Sequence, residues 1–401
     1  MKMGKIKVLR NLFEEMNKNK LDYFILTNFF NLNKNGDIDL FVSKENKKQF
    51  LAILNEQNWL KRTEPSNYNF RDFYYFFDNN EVIYLDVKFE LLFMDKKNKM
   101  FFPKKSVDEI LLNTSLNCDF ARVPQPTDSI ELYLAHIFYE KQKVEQRHLE
   151  ELLSLLKYSS EKKIIDEKLN EYYEVYEKMK DGKDVDLKKW LLEKKDYSPF
   201  QKKDNYGFGY KVIILGTDGT GKTTLIKNIK KNLPVKMKSL YLGTGDEGWE
   251  ISAISALNRN IKGNVGKLIF RSSVLPFELL LRVLKGRRNA KYRLVLIDRI
   301  PGWSKMSNSK IVKIIYNNIL PEPDLIILLT GDSDVLFKRK GEKDISRIEE
   351  DNIKFKKIAN MFDCGVVEID TTRNGEVEAE RIAIDAIINE SAFKNRLFER
   401  I

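Results

Sequence analysis

Apolar positions along this chain follow two periods, and the change from one to the other divides it into segments. Residues 1–122 mix the two. Val8–Lys18 spaces its apolar side chains along one face of a helix, and a second helix is expected over Lys44–Asn55. Between them lie the apolar runs Tyr23-Phe-Ile-Leu26 and Ile38-Asp-Leu-Phe-Val42. Further on, Val82-Ile-Tyr-Leu-Asp-Val-Lys-Phe89 alternates as a strand does. Pro124-Gln-Pro126 interrupts the pattern. From Asp128 to Leu192 the period is helical almost throughout, with Ile130, Leu134, Ile137 and Phe138 on one face and Leu149, Leu152, Leu153 and Leu156 on another. The polar stretch Glu193–Asn205 reads as a linker. Beyond 206, short apolar runs alternate with helical segments, the pattern of a parallel sheet covered by helices. The expected organisation is therefore an α+β domain over 1–122, a helical extension and linker over 123–205, and an α/β domain over 206–401.

Composition narrows the setting. With 401 residues, 42% of them hydrophobic, the chain can build two or three cores. Its net charge of +11 favours anionic partners, but the lysines are spread along the whole chain. No basic block interleaved with aromatics marks a nucleic-acid interface. The two cysteines, Cys118 and Cys364, are far apart and lack metal-ligand spacing, which suits a reducing cytoplasm. There is no apolar run of about 18 residues and no signal-peptide pattern, so neither a membrane span nor a membrane partner is expected.

The segment with the most chemistry is Lys211-Val-Ile-Ile-Leu-Gly-Thr-Asp-Gly-Thr-Gly-Lys-Thr-Thr224, in which Gly216 to Thr223 fits G-x-x-x-x-G-K-[ST]. An apolar strand precedes it and a helical segment follows, as the motif requires. Gly216, Gly219 and Gly221 let the backbone wrap a phosphate chain, with its N–H groups and the helix N-terminus facing the oxygens. Lys222 can reach the β/γ-phosphates, Thr223 can ligate Mg²⁺, and Thr224 continues the cradle. A second strand, Tyr292-Arg-Leu-Val-Leu-Ile-Asp-Arg299, ends in a carboxylate and a guanidinium. Asp298 is a candidate Mg²⁺ ligand and Arg299 a candidate clamp for an anionic substrate; capping of the next turn is the alternative for Asp298. Arg339 and Arg347 lie in the basic stretch Leu336–Arg347, from which mobile arginines could neutralise a transferring phosphoryl group. After a last strand, Val366-Val-Glu-Ile369, the loop Asp370-Thr-Thr-Arg373 is placed to approach a nucleobase.

Together the 216–224 loop, Asp298-Arg299, Pro323-Asp-Leu-Ile-Ile-Leu-Leu329 and Arg339-Lys-Gly-Glu342 resemble the thymidylate kinases and their relatives, over roughly residues 210–390 and in the same order. The resemblance implies a P-loop fold, ATP–Mg²⁺ as phosphoryl donor, a lid over 337–348, Asp218 near a small-molecule acceptor, Arg299 on the acceptor's phosphate, and frequently a homodimer. Two features depart from that pattern. The segment Ser239–Trp249 carries no arginine where thymidylate kinases hold the acceptor nucleotide, and Leu215 replaces an acidic residue before the loop. The acceptor is left open between a nucleoside monophosphate and another phosphorylated or hydroxyl compound. A regulatory NTPase and an interaction module without turnover are the competing readings.

In the N-terminal segment, Gly36-Asp-Ile-Asp-Leu-Phe-Val42 places Asp37 and Asp39 on one face of a strand, and Asp86 stands on a later strand. Three carboxylates of this kind can share divalent metals, as in-line nucleotidyl transfer uses them. A hairpin turn with outward-facing aspartates is the plainer alternative. The segment resembles an uncharacterised branch of the nucleotidyltransferase superfamily. It lacks the Gly-Ser pair that holds the incoming triphosphate in active members; Thr27 and Asn28 are the available donors. Lys88 stands where that branch often has a histidine. Both an active and a degenerate, binding-only domain fit these residues. His136 and His148 fall in the helical region, where a core role is the default and a pocket shared by His136 with the three aspartates is the sharper alternative.

Overall fold

A computed structural model describes residues 4–26, 32, 37–64, 70–78, 81–95, 97, 99–117, 120–142, 144–161, 166–183, 185, 187, 190–194, 205–243, 261, 264–301, 306, 308–341 and 344–401. They form two compact units, residues 1–202 with 400–401, and residues 203–399. Thr27, Asn28, the Asn35-Gly36 turn, Cys118, Glu342, Lys343, residues 195–204 of the expected linker and residues 244–249 of the acceptor segment lie outside the described residues.

In the N-terminal unit, helix α1 (Lys5–Lys18) buries Val8, Leu9, Leu12, Phe13 and Met16, and α2 (Lys47–Glu56) buries Phe50, Ile53 and Leu54. Both cover a mixed sheet whose strands β1 (Tyr23–Ile25), β2 (Ile38–Val42), β3 (Leu60–Arg62), β4 (Arg71–Asp78) and β5 (Glu81–Lys88) run in the order β1-β2-β5-β4-β3. Only β2 and β5 pair in parallel, and their register sets Asp39 beside Asp86. Every residue of β2 is buried, so a slip of β2 by one position would turn Asp39 to the other face, away from Asp86.

Two smaller ladders follow. One joins β6 (Phe93–Met94), β7 (Met100–Pro103) and β10 (Leu191–Lys194); the other joins β8 (Ser115–Asn117) and β9 (Ala121–Val123). Helix α3 (Val107–Leu112) starts in a capping box made by Ser106 and Glu109. Helix α4 (Pro126–Ala135) opens on the proline that ended the preceding pattern. It passes into a π-helical turn, His136–Lys141, followed by α5 (Gln146–Glu161) and α6 (Asp166–Lys180).

The helical period thus covers most of 128–192 but not its end. Leu191 and Leu192 pair with Pro103 and Phe102 in an antiparallel ladder, which satisfies backbone groups that a helix end would have left open.

The C-terminal unit is a mixed α/β structure built on a five-stranded, all-parallel sheet. Its strands are β11 (Tyr210–Gly216), β12 (Met237–Tyr241), β13 (Leu294–Asp298), β14 (Leu325–Thr330) and β15 (Gly365–Asp370), in the order β12-β13-β11-β14-β15. Central strands buried on both faces must be apolar at every position, which is why β11, β13 and β14 read as unbroken runs rather than alternating ones. One face packs against Leu275, Leu279 and Val283 of the helix Asn264–Arg287 and against Tyr316 and Leu320. Helix α7 (Lys222–Asn232) lies beside the helix Glu376–Asn389, joined to it by Asn228–Glu376 and Asn232–Glu380 hydrogen bonds. The chain order reverses direction at β11, so ligands are expected outside its carboxyl end. No helix among the described residues is long and apolar enough to cross a membrane.

Candidate functional site

The loop between β11 and α7 occupies that position. Gly216, Gly219 and Gly221 all have positive φ, at 149°, 87° and 83°. At Gly216 a Cβ would meet the Leu329 carbonyl oxygen at 2.6 Å and the Thr220 hydroxyl at 2.8 Å, so β14 and the loop leave no room for a side chain. Thr217 and Thr220 are buried, and the Thr220 hydroxyl donates to the Thr217 carbonyl at 2.8 Å.

Lys222 is also buried. Its Nζ donates to the carbonyls of Gly216 (2.9 Å) and Thr217 (2.7 Å), folding the ammonium back over the loop. Burial, reinforced by Arg299, pulls its pKa down to about 8. Thr223 and Thr224 are the next two residues of α7, both exposed.

Asp298 ends β13 at the register position of Ile214 in β11 and Tyr241 in β12. Burial raises its carboxyl pKa, against the pull of Lys222 and Arg299. Its Oδ1 is buried and finds no hydrogen-bond partner among the described residues. An oxygen in that state fits a hard cation, so Asp298 and Thr223 suit Mg²⁺ in donor type.

Arg299 follows with φ 66°, a left-handed conformation that costs a non-glycine residue about 1–2 kcal/mol. It is held there by its own N–H on the Ile214 carbonyl (3.2 Å), and its Nη2 donates to Asp218 Oδ1 at 2.8 Å. The structure therefore brings Asp218, Lys222, Asp298 and Arg299 to one place.

Arg339 comes to the same region from the helix Ser333–Lys340, donating to the Thr371 carbonyl at 3.0 Å. It borders a cavity of about 320 Å³ together with Gly219, Gly221, Thr224, Thr371 and Asn374. Arg347 is not brought in. It lies exposed on a separate helix, Ile345–Ala359, with no hydrogen bond or ion pair among the described residues. The basic stretch read as one segment is two helices, because Gly341 closes the first in a left-handed cap.

One pair near this region escaped the sequence reading. Glu278 and Arg282, fully buried one turn apart on the helix Asn264–Arg287, form an ion pair at 3.0 Å, and Arg282 also donates to the Gly243 carbonyl at 2.9 Å. The signal was available: both charges interrupt the otherwise apolar run Leu275–Val283 at i, i+4 spacing.

In the N-terminal unit, Asp37, Asp39 and Asp86 bring carboxylate oxygens within 4.8 Å of one another. Burial and the neighbouring Asp39 raise the pKa of Asp37. Around the three lies a network of which the sequence reading had only His136 and Lys88. Arg71 of β4 donates to Asp86 from Nε (2.6 Å to Oδ1) and from Nη2 to Oδ2. Glu140 accepts from Lys88 at 2.6 Å and contacts His136 Nδ1 at 2.8 Å. Although burial opposes it, Lys88, His136 and Arg71 hold the Glu140 carboxyl well below the usual range. His136 and Glu140 both belong to the π-helical turn, a local departure that periodicity does not encode. His148 has a structural role: its Nδ1 accepts from the Glu145 N–H at 3.1 Å, and burial lowers its pKa to about 4.

No family model matches the chain, and no curated protein matches it. Among solved structures it is similar to a deoxyadenosine kinase from M. mycoides described with dCMP and a flexible dCDP bound, at 17% identity and a TM-score of 0.33, covering 45% of this chain and 100% of that one. A second structure of the M. mycoides deoxyadenosine kinase, with bound dATP, gives 18% identity and a TM-score of 0.31 over 43% of this chain and 97% of that one.

Proposed function

We propose that residues 206–401 form an ATP- and Mg²⁺-dependent phosphotransferase of the thymidylate-kinase type, acting on a small phosphorylated acceptor. The observation that carries this is the convergence of a buried loop lysine, Lys222, with Asp298, whose Oδ1 is buried and unpartnered among the described residues, at the carboxyl end of the central strands. Bound Mg²⁺ would be held by Thr223 and Asp298 and would neutralise phosphate charge. Lys222 exchanges its two carbonyl acceptors for phosphate oxygens, and the loop N–H groups hold the chain in line. Arg339, at the cavity rim, lies where a donor nucleotide would extend towards the Thr371–Asn374 turn. Arg299 and Asp218 face the acceptor. Because Asp218 already accepts from Arg299, a phosphorylated acceptor, which is a nucleophile without a base, suits the site better than an alcohol. Residues 1–122 are read as a nucleotidyltransferase-like domain fused to this kinase.

The direct test measures ADP release with ATP and Mg²⁺ across dTMP, other nucleoside monophosphates, sugar phosphates, sugars and RNA. A phosphorylated small molecule should stimulate release; stimulation by RNA alone, or by nothing in the panel, would reject the kinase reading. The depressed pKa of Lys222 gives a further expectation. Phosphate favours the protonated ammonium, so binding above pH 8 must be accompanied by proton uptake. ATP affinity should be flat below about pH 8 and fall roughly tenfold per unit above it. Calorimetry at pH 7 and 9 in buffers of different ionisation enthalpy reads both quantities. Equal affinities with no proton uptake would show that Lys222 stays fully charged in the free protein.

A further inference from the structure

Three carboxylates as close as Asp37, Asp39 and Asp86 need positive charge among them, and two divalent cations are the supply that nucleotidyl transfer uses. Here part of that charge is already built in. Arg71 stands opposite Lys88 in the β4–β5 ladder and reaches Asp86 with a planar fork, Nε on one oxygen and Nη2 on the other. Both Asp86 oxygens are taken in the geometry a guanidinium fits best.

A metal ligated by Asp86 would have to share its oxygens with this guanidinium, whose charge opposes it, or displace a side chain that is only 21% exposed. Glu140, 4.0 Å from Arg71 Nη1, already holds Lys88 at 2.6 Å and His136 at 2.8 Å. Charge points the same way. Counted as fully ionised, the four carboxylates of Asp37, Asp39, Asp86 and Glu140 face Arg71 and Lys88, which leaves at most two negative charges, the equivalent of a single divalent cation. Lys141, near Asp37, reduces even that. The residues present do not fit a two-metal centre.

We propose that Arg71 is the resident cation of this cluster, keeping Asp86 from metal, so that the N-terminal unit takes at most one divalent cation, on Asp37 and Asp39. This goes beyond the nucleotidyltransferase-like reading and rests on its placing the unit's functional centre at the three aspartates. The kinase reading is tested separately by ADP release.

The experiment is Mn²⁺ binding to the full chain by electron paramagnetic resonance without nucleotide, in an Asp298→Asn background that silences the C-terminal ligand position. At most one Mn²⁺ should depend on Asp37 and Asp39, and Asp86→Asn should weaken it without changing the number of ions bound. Arg71→Met, which keeps the aliphatic stem, should add a second Mn²⁺ or tighten the first at least about tenfold, and adding Asp86→Asn should erase that gain. Far-UV circular dichroism and thermal melts establish that each variant is folded. Two Mn²⁺ ions lost together on Asp37→Asn with Asp39→Asn would overturn the proposal, as would a folded Arg71→Met protein that gains nothing.

Discussion

Replacing Lys222 by alanine is expected to lower acceptor-dependent ADP release by at least about 100-fold, the scale on which removal of one preorganised charge from a transferring group acts. Lys222 is the only cation of the loop itself, and its two contacts, to the Gly216 and Thr217 carbonyls, are internal to that loop. Removing it leaves the backbone cradle in place, so ATP affinity should fall less than kcat does. Lys222→Arg should not rescue: a guanidinium is larger and planar, and the buried position accommodates a compact ammonium. Steady-state kinetics with direct nucleotide binding separates these effects. A Lys222→Ala protein retaining more than a tenth of the wild-type kcat would remove phosphoryl transfer from this loop altogether.

The second large effect concerns stability. Glu278→Ala should destabilise the C-terminal unit by about 3–5 kcal/mol, because it removes the carboxylate that Arg282, 3% exposed, holds at 3.0 Å in the interior. The double replacement Glu278→Leu with Arg282→Met should recover most of the loss, since desolvating an ion pair offsets most of what its attraction contributes. Urea unfolding followed by hydrogen exchange in β12 and β13 measures this unit apart from the N-terminal one. A loss below about 1 kcal/mol for Glu278→Ala would mean that water or a shifted side chain reaches Arg282. The same pair anchors Gly243 through the Arg282 donor, so the single change should also disturb the segment that follows β12.

What the sequence made legible was whatever depends on local pattern. The apolar runs of β11, β13 and β14, the three glycines of the loop, and the Asp37-x-Asp39 pair at the start of β2 could be read because period and motif are properties of consecutive residues. The parallel α/β architecture of the C-terminal half followed from the same signals. Asp86 could be named because it lies on an alternating strand, and the β2–β5 register does place it beside Asp39.

What stayed hidden depends on partners far along the chain or on irregular backbone. Arg71 is unremarkable in its own strand and acquires meaning only across the hairpin from Asp86. Glu140 enters its network through a π-helical turn that no hydrophobic period announces. Over 337–348 a helix and a loop were expected to carry Arg339 and Arg347 together, whereas the Gly341 cap ends one helix and Arg347 stands on the next. Leu191 and Leu192 continue a helical spacing and still join a ladder, because pairing with β7 satisfies their backbone.

The tight packing at Gly216 and Gly219 has a dynamic consequence. A side-chain atom at Gly216 would collide with the carbonyl oxygen of Leu329, at the end of β14, and one at Gly219 would crowd that of Leu336, in the helix that carries Arg339. The loop is therefore shaped by the strand on one side and that helix on the other before any nucleotide arrives. Little ordering entropy is left to oppose binding, so the loop should capture its ligand by docking rather than by folding around it. Because Gly219 abuts Leu336, a shift of the arginine-bearing helix bears on the loop: on the proposed kinase reading, closing that helix over a nucleotide and tightening the grip on its phosphates would be one mechanical event.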